Sequence, residues 1–355
     1  MAETTQLKNI MYLLHRRELS QAEICQELNL SKSHVSALVK SLEVRGLICR
    51  TAASAGRQGG MGRPRELLRI CPQLGYTALL INMRATCRCF CFEYGNPLPV
   101  YSVELPRSTT AAELISRTQE TLTGFMTERQ LTPADFLVFL VAETGIVEHG
   151  FHGQIFTDRV LTDTLCPLPR LMTEATGIPT AMCNLAYGHQ RCILEKLGPG
   201  APDALFFMCG EGAVGLGIMM RHEIIMGSCG VFPECSHLNY AHGFEASLGT
   251  YGEHTADALF FAITQIAPIF MTDHIIVSGV AFEGHSEVVT EVMERLKQDP
   301  NPYLRGIEVS YVPVSNAERL REYACLTFDL AVDLKDPQPV RRSLNDLLVS
   351  KRRGR

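Results

Sequence analysis

The stretch SQAEICQELNLSKSHVSALVKSLEVRGL, residues 20–47, decides the fold of the N-terminal part of the chain. Ser20 and Glu23 have the spacing of a capping box, which starts a short helix. Ser31 is a good N-cap for a second helix, whose apolar residues recur at helical spacing. Asn29 stands between the two helices, where a tight turn needs a left-handed backbone. The stretch therefore predicts two short helices joined by a turn.

The sequence on either side of this stretch completes a larger motif. Upstream, residues at i, i+3, i+4 and i+7 predict a helix with one apolar face, formed by Leu7, Ile10, Met11 and Leu14. Downstream, Gly46 ends the last helix and an extended, strand-like run begins. We therefore predict a winged helix-turn-helix domain over residues 1–72.

The outer face of the third helix carries short polar and basic side chains, as a helix that enters the major groove requires. The predicted DNA contacts of this helix are Ser31, Lys32, Ser33, His34, Ser36 and Lys40. For His34 the sequence leaves open a contact with the DNA backbone or a packed position on the flank of the helix. The alternative for the whole motif is that its helices only dock on the rest of the protein.

The segment after the third helix is rich in alanine, serine and glycine and then in arginine, which predicts a flexible wing. Its predicted DNA contacts are Arg57, Arg63 and Arg65. The last two are spaced by one residue around a proline and suit the narrow minor groove, where the negative potential is deepest. This basic wing favours DNA binding over simple docking.

Charge is distributed unevenly along the chain, whose formal net charge is −5. Residues 1–75 hold 11 Lys+Arg and 6 Asp+Glu, and residues 337–355 hold 6 basic residues and one acidic residue. The remainder is strongly acidic, so a polyanion would be attracted to the N-terminal part alone. For the basic C-terminal tail, 337–355, a frayed solvated end and a non-specific attraction to DNA both remain open.

Composition excludes several classes of protein. Hydrophobic residues make up 46% and charged residues 20%, which is typical of a globular chain. The N-terminus lacks the basic-then-apolar order of a secretory signal, and no apolar run of 18 residues occurs. We therefore expect a soluble cytoplasmic protein without a membrane span. The 13 cysteines include no C-x-x-C pair, and Cys87, Cys89 and Cys91 alternate as one buried face of a strand.

From residue 76 onward, strand-like and helix-like stretches alternate, which predicts mixed or parallel sheets covered by helices. The predicted strands are a pair within 76–92, then 136–142, 180–183, 204–208, 218–225 and 274–278. The predicted helices are 111–128, 165–176, 257–269 and 286–297.

Over nearly its full length the chain resembles a ROK-family transcriptional regulator, one of a group of bacterial repressors that share a body with sugar kinases. The motifs that carry the resemblance are, in order, Gly62-Arg63-Pro64, Glu143-Thr144-Gly145-Ile146-Val147, Gly177-Ile178-Pro179 leading to Asn184, 210–217, Glu234-x-x-His237 and Ser278-Gly279-Val280. The resemblance implies an α/β protein with a winged helix-turn-helix followed by a two-lobed, actin-like ATPase fold over residues 73–336. It also implies a repressor connected with carbohydrate metabolism that binds a double-stranded DNA operator as a homodimer or homotetramer.

The sequence departs from the kinases of that family at three places. Leu185 follows Asn184 where a kinase has the aspartate that removes a proton from the sugar hydroxyl, and leucine cannot act as a general base. Side chains fill the first phosphate loop, residues 82–86, where glycines would let backbone amides hold a phosphate. Glu211 places a negative charge in the second loop. We therefore predict that the protein is not an enzyme and needs no cofactor.

The zinc site of the family is also incomplete. His237 is present, but the cysteine cluster that follows it in relatives is missing, and a tetrahedral site needs four ligands. A loop that packs without metal is the favoured interpretation. A replacement site built from Cys229, Cys235, His237 and His242 remains the alternative.

The resemblance also assigns a partial sugar pocket. Asn184, Glu234 and His237 match residues that hold sugar hydroxyls in relatives, and Gly145 and Glu245 match two further pocket positions. An amide, a carboxylate and an imidazole can hold a polyol by paired hydrogen bonds, but these groups can equally satisfy one another. The glycine-rich segment 210–217 is predicted to be a tight turn rather than a nucleotide site.

These observations predict a sequence-specific transcriptional regulator whose body responds to a sugar-like effector or to a partner protein. Two alternatives remain open at this point. One is a sugar kinase with an accessory DNA-binding head, and the other is a scaffold controlled only by protein partners.

Overall fold

The computed structural model describes residues 2–52, 66–71, 74–157, 160–198, 200–210, 212–227 and 230–333. Several residues singled out above therefore lie outside the described part of the chain: Arg57, Arg63, Arg65, Glu211, Cys229 and the tail 337–355.

The N-terminal part, the head, is a winged helix-turn-helix, as predicted. Its elements are α1 (Ala2–Arg16), α2 (Gln21–Leu28), α3 (Lys32–Val44), β1 (Ile48–Ala52) and β2 (Glu66–Ile70). β1 and β2 pair antiparallel with Ile48 opposite Ile70, so residues 53–65 form the connection that the sequence predicts as the wing.

Local hydrogen bonds explain where the helices of the head begin and end. The Ser20 amide donates to the Glu23 carboxylate at 2.8 Å, and the Ser20 hydroxyl accepts from the Glu23 amide, which together form the predicted capping box of α2. The Ser31 hydroxyl accepts from the His34 amide and caps α3. Asn29 has a φ of 50°, the left-handed conformation expected in the turn between them.

The first lobe of the body is built on a five-stranded sheet with the order β5-β4-β3-β6-β9. Its strands and helices are, in chain order, β3 (Tyr76–Asn82), β4 (Cys87–Glu93), β5 (Pro99–Leu105), α4 (Ala111–Arg129), β6 (Phe136–Glu143), β7 (Ile146–Val147), β8 (Ile155–Thr157), α5 (Leu168–Thr176) and β9 (Thr180–Asn184). β3, β6 and β9 run parallel, whereas β4 and β5 are antiparallel to their neighbours. Cys87, Cys89 and Cys91 are buried in the core of this lobe, as predicted.

The second lobe carries another five-stranded sheet, with the order β12-β11-β10-β13-β14. Its elements, preceded by the connecting helix α6 and followed by the last helix, are α6 (Leu185–Leu197), β10 (Ala204–Gly210), β11 (Ala213–Met220), β12 (Glu223–Ile224), α7 (Phe244–Leu248), α8 (Thr255–Phe270), β13 (His274–Ser278), α9 (Ser286–Lys297), α10 (Pro302–Arg305), β14 (Glu308–Tyr311) and α11 (Asn316–Asp333). The predicted alternation of strands and helices is therefore correct.

One prediction about the second lobe is wrong. The sequence predicted a tight turn over 210–217 and a strand over 218–225, but β11 already begins at Ala213 and ends at Met220. The glycines of this strand are explained by the helix that crosses it. A Cβ atom on Gly217 would lie 2.5 Å from Oε1 of Gln190, and one on Gly215 would collide with Ala186, so α6 packs directly on the strand backbone.

The head and the body share one hydrophobic core. Leu7, Ile10 and Leu14 of α1 are buried in the same cluster as Phe328 of α11 and Val138 of β6. The last helix thus joins the head to the first lobe.

None of the helices in the described part of the chain is long and apolar enough to cross a lipid bilayer.

Candidate DNA-binding face and inter-lobe cleft

The outer face of α3 is open to solvent along its length. Among the predicted contacts, Ser31, Lys32, Ser33, His34, Ser36 and Lys40 are all exposed. The opposite face is buried through Val35, Leu38, Val39 and Leu42. Because the apolar side holds α3 against the head, the polar side is presented outward in a fixed orientation.

Two of these side chains already have partners within the head. Nε2 of His34 lies 2.7 Å from Oε1 of Gln6, a hydrogen bond that ties α3 to α1. The hydroxyls of Ser31 and Ser33 lie 3.2 Å apart. His34 therefore has a positioning contact within the protein, whereas Lys32 and Lys40 are exposed and make no ion pair with any residue in the described part of the chain.

The base of the wing is fixed by an arginine that the sequence analysis did not single out. Arg50 lies between two carboxylates, with Nε 2.6 Å from Glu43 and Nη1 2.5 Å from Glu66. The hydrogen bonds that the guanidinium donates to Glu43 and to Glu66 raise its pKa. Arg50 thus links α3 to both wing strands, and the predicted wing contacts Arg57, Arg63 and Arg65 lie in the part of the wing that is not described.

A cavity of about 430 Å³ lies between the two lobes, and we call it the inter-lobe cleft. Its wall is formed by the β3–β4 turn, the start of α6, the β10–β11 hairpin, the segment after β13 and the first turns of α11. The residues that line it include Met83, Arg84, Arg88, Thr144, Gly145, Asn184, Leu185, His189, Glu234, Val280, Asn316, Ala317, Arg319, Leu320 and Tyr323.

The structure places three of the five predicted ligand-binding residues in this wall: Gly145, Asn184 and Glu234. Asn184 has its polar atoms occupied, since Nδ2 donates to the Gly145 carbonyl at 2.7 Å and Oδ1 accepts from the Ala186 amide at 2.7 Å. Glu234 accepts the Ser236 amide at 2.6 Å. Asn184 therefore caps α6, which matches the alternative that the pocket groups satisfy one another.

The other two predicted residues, His237 and Glu245, do not line the cleft. His237 is exposed, and Oε1 of Glu245 accepts the Val214 amide at 3.5 Å. In the described part of the chain no group of three or more His, Cys, Asp or Glu side chains could hold a metal ion. Of the residues considered for a replacement site, Cys235 is buried, His242 stacks on His254, and Cys229 is not described.

Two of the three places where the sequence departs from the kinases, Leu185 and residues 82–86, lie in the described part of the chain. Leu185 lines the cleft directly after Asn184, and its carbonyl accepts the Tyr323 hydroxyl at 2.6 Å. Nδ2 of Asn82 donates to both oxygens of the buried Glu143, at 3.1 and 3.0 Å, so the start of the first loop is tied to β6. A Cβ atom on Gly212 would lie 3.5 Å from Nη1 of Arg84, which places this guanidinium against the second loop.

One wall residue was missed by sequence reasoning. His189 is 7% exposed, and its Nε2 lies 3.1 Å from the hydroxyl of Ser278 at the end of β13. Burial and then the charge of Arg319 lower its pKa to about 3, so the imidazole is neutral. Its position four residues after Leu185 places both on one face of α6, and this spacing was the signal available in the sequence.

The junction between head and body is made of an ion network and an aromatic stack. Arg191 of α6 contacts Glu322 at 2.8 Å and Asp329 at 2.9 Å, both on α11. Arg16 at the end of α1 contacts Glu195 of α6 at 2.5 Å. The junction also contains His15, which stacks on Phe328 with ring centroids 3.9 Å apart, and Arg321, which donates to the Arg16 carbonyl at 3.0 Å. Helices α6 and α11 therefore extend from the cleft to the head.

Comparisons with known proteins agree with this architecture. Residues 8–58 match the sequence profile of the MarR family. The fold is similar to a crystal structure of a ROK family transcriptional regulator, described as a homologue of the E. coli MLC protein, with 14% identity and a TM-score of 0.67 over 93% of this chain and 98% of that one. No curated protein matches the chain in sequence.

Enzymes of known structure share the body alone. A ROK family glucokinase from Streptomyces griseus, crystallised with glucose and AMPPNP, has 14% identity and a TM-score of 0.52 over 71% of this chain and 99% of its own. An inorganic polyphosphate/ATP-glucomannokinase from Arthrobacter sp. strain KM has 14% identity and a TM-score of 0.51 over 72% and 99%. The chain thus combines a MarR-type winged-helix head with a body that has the fold of ROK regulators and kinases.

Proposed function

We propose that this protein is a DNA-binding transcriptional regulator whose kinase-like body has lost catalysis and senses a ligand or a partner protein. The observation that carries the proposal is the exposed polar face of α3, with Lys32 and Lys40, on a winged-helix head. Such a face fits the major groove because its side chains are short at the start of the helix and basic groups flank them.

Charge supports the same function. Residues 1–75 carry an excess of basic side chains, whereas residues 76–336 are strongly acidic, so a duplex would be attracted to the head and repelled by the body. The wing residues Arg57, Arg63 and Arg65 are proposed to extend this contact into the minor groove. Two heads on a homodimer or homotetramer would then bind a pseudo-palindromic operator.

The proposed loss of catalysis rests on the cleft. A phosphoryl transfer to a sugar hydroxyl needs a group that accepts the proton. Leu185 lines the cleft and stands where the resemblance to the kinases puts that group, which supports the proposal. Arg84 belongs to the first loop, residues 82–86, which lacks the glycines needed to hold a phosphate by backbone amides. Its guanidinium lies against Gly212 of the second loop.

The proposed route from body to head is α11. Its first turns line the cleft through Asn316 and Arg319, and its later turns pack on α1 through Phe328. A ligand that favours one position of α11 over another would therefore change the position of the head and its affinity for DNA.

Selection of genomic fragments by the purified full chain, followed by sequencing, tests the DNA-binding part of the proposal. We expect one recurrent, pseudo-palindromic motif. An assay of ADP release with ATP and glucose, N-acetylglucosamine or N-acetylmannosamine tests the loss of catalysis, and we expect no turnover above a protein-free blank.

Three outcomes separate the alternatives. Turnover with any of these sugars would show an enzyme with an accessory head. Failure to enrich any motif at low salt would contradict a regulator. A motif whose affinity changes with none of the small molecules, but changes with a protein from the same cell, would identify a regulator controlled by a partner protein.

A further inference from the structure

The inter-lobe cleft has few free groups of the kind that hold a neutral sugar. A polyol needs paired donors and acceptors around its ring. Asn184 uses Oδ1 to cap α6 and Nδ2 to hold Gly145, and Glu234 already accepts the Ser236 amide. The Tyr323 hydroxyl donates to the Leu185 carbonyl. Most polar groups of the predicted sugar pocket are therefore engaged with the protein itself.

Cationic side chains reach the cleft from three separate elements. Arg84 belongs to the β3–β4 turn, Arg88 to β4 and Arg319 to the first turns of α11. Glu234 is the only carboxylate among the described residues of the wall. The described part of the wall thus carries more basic than acidic side chains, although the body around it is strongly acidic, and this local reversal of charge favours an anionic ligand.

The three arginines differ in how far they are already paired. Arg88 contacts Glu104 at 3.2 Å, and Arg319 donates to the side-chain oxygen of Asn316, a neutral partner. Arg84 makes no ion pair with any residue in the described ranges. Arg84 and Arg319 therefore retain charge for a ligand, and a guanidinium matches a carboxylate, phosphate or sulfonate by two parallel hydrogen bonds.

The remaining wall is apolar. Met83, Leu185, Val280, Leu320 and the ring of Tyr323 face a cavity of about 430 Å³, a size typical of sites for small organic molecules. The leucine in place of the kinase aspartate adds to this surface and removes a negative charge that would repel an anion.

A buried polar group lies in the same wall. His189 is neutral and 7% exposed, and it uses Nε2 for the Ser278 hydroxyl. Its second ring nitrogen makes no hydrogen bond to any described residue. His189 can therefore give a ligand one directed hydrogen bond without adding charge.

From these features we infer that the cleft binds a small organic anion with an apolar body, whose charged group contacts Arg84 and Arg319 and whose body lies against Met83, Leu185 and Val280. This inference rests on the proposed function, in which the body senses a ligand. A ligand bound to Arg319 would act first on α11. Two residues further along this helix, Arg321 donates to the Arg16 carbonyl at the end of α1, so the contact with the head is close to the site.

A pair of probes that differ in charge tests the inference on the full chain. The fluorescent anion 8-anilinonaphthalene-1-sulfonate has an apolar body and one sulfonate, and N-phenyl-1-naphthylamine has nearly the same body without charge. We expect the anion to bind one site per chain at least about tenfold more tightly than the neutral probe, which corresponds to one charge-assisted contact.

Variants then locate the site. Arg84→Gln together with Arg319→Gln should weaken the anion at least about tenfold and leave the neutral probe unchanged. Ala317→Trp, at an exposed position of the wall, should block both probes. Arg305→Gln, at the exposed end of α10, is the matched control and should change neither. Thermal melting checks that each variant is folded.

Several results would overturn the inference. They are equal affinity for the two probes, an anion affinity that survives the double substitution, and displacement of the anion by glucose or N-acetylglucosamine. Because these titrations contain no DNA, they are independent of the fragment selection. If the anion binds as expected but the selection recovers no DNA motif, the anion site stands and the proposed regulator is contradicted. If the selection recovers a motif but the anion does not bind as expected, the regulator stands and the anion site is contradicted.

Discussion

At the scale of single residues, three histidines stay neutral well below the pH at which an exposed imidazole takes up a proton. Burial lowers the pKa of His15 to about 3, of His149 to about 4 and of His189 to about 3. In His15 the nearby charges of Arg16 and Arg321 act in the same direction. Each of these histidines has a partner in the fold. His15 stacks on Phe328, His149 accepts the backbone amide of Asn184, and His189 is hydrogen-bonded to Ser278.

These shifts predict that the protein loses stability in mild acid. An unfolded histidine gains a proton as the pH falls below about 6.5, whereas the folded ones stay neutral down to about pH 3–4. The unfolded state then binds more protons, so the free energy of unfolding falls over this window. His15→Leu should make the slope shallower by about 1.4 kcal/mol per pH unit, measured by urea unfolding between pH 6 and 4.5.

The matched control for this prediction is His152→Leu. His152 is exposed, so its replacement should leave the pH slope unchanged. The same slope in His15→Leu as in the unsubstituted protein would show that His15 is protonated within the folded head.

Residues of the candidate site were predictable only in part. The sequence predicted Asn184 and Glu234 as pocket residues from local motifs, and both line the cleft, as does Leu185, which it predicted to stand in place of a kinase's base. The sequence could not indicate that both polar side-chain atoms of Asn184 are hydrogen-bonded within the protein, one to the Ala186 amide of α6 and one to the Gly145 carbonyl, because these bonds depend on how β9 meets the helix. His237 is exposed and Glu245 lies in α7, where it accepts the Val214 amide, so neither lines the cleft.

At the scale of elements, those with local signals were predicted and those defined by distant contacts were not. The caps of α2 and α3 involve residues three positions apart, so they can be read directly from the sequence. α6 and α11 were missed. α11 has no single apolar stripe, because its faces pack on α1, α6 and the first sheet at once.

The capping box makes a prediction about the stability of the head. Ser20→Ala removes the hydroxyl that accepts the Glu23 amide and should lower the free energy of unfolding by about 1 kcal/mol. Denaturant unfolding monitored by circular dichroism measures this. Gln26→Ala, on the exposed side of the same helix, should change stability by less than about 0.5 kcal/mol, and an equal loss in both variants would contradict the role of the cap.

The contact between α6 and α11 makes a second prediction at this scale. Alanine in place of a helical glycine ordinarily stabilises by about 0.5–1 kcal/mol, but a Cβ atom on Gly188 would collide with the Tyr323 ring. Gly188→Ala should therefore destabilise the protein by about 1–3 kcal/mol. Thermal or urea unfolding measures the difference.

Gly124→Ala in α4 is the matched control for Gly188→Ala. A Cβ atom at Gly124 would meet nothing within 4 Å, so the ordinary stabilisation is expected there. If both variants were stabilised, α11 would not pack on α6 as described.

At the scale of the whole molecule, the main difference from the sequence analysis is the union of head and body. The sequence predicted a boundary near residue 72, where the composition changes, and that boundary stays a prediction. The hydrophobic core nevertheless continues from Leu14 through Phe328 to Val138, which are far apart in the sequence. Contacts of this kind give no local pattern, so the packing of α11 against the head could not be foreseen.

The measurement that tests the central claim most directly is the salt dependence of DNA binding by the full chain and by Lys32→Ala with Lys40→Ala. On a fragment recovered by selection, we predict at least about tenfold weaker binding for the double variant and a slope of log affinity against log salt that is shallower by about 0.9 for each lysine that neutralises a phosphate. Lys297→Ala, exposed at the end of α9, should behave as the unsubstituted protein. Identical affinities and slopes for all three proteins would contradict the claim that the exposed face of α3 binds DNA.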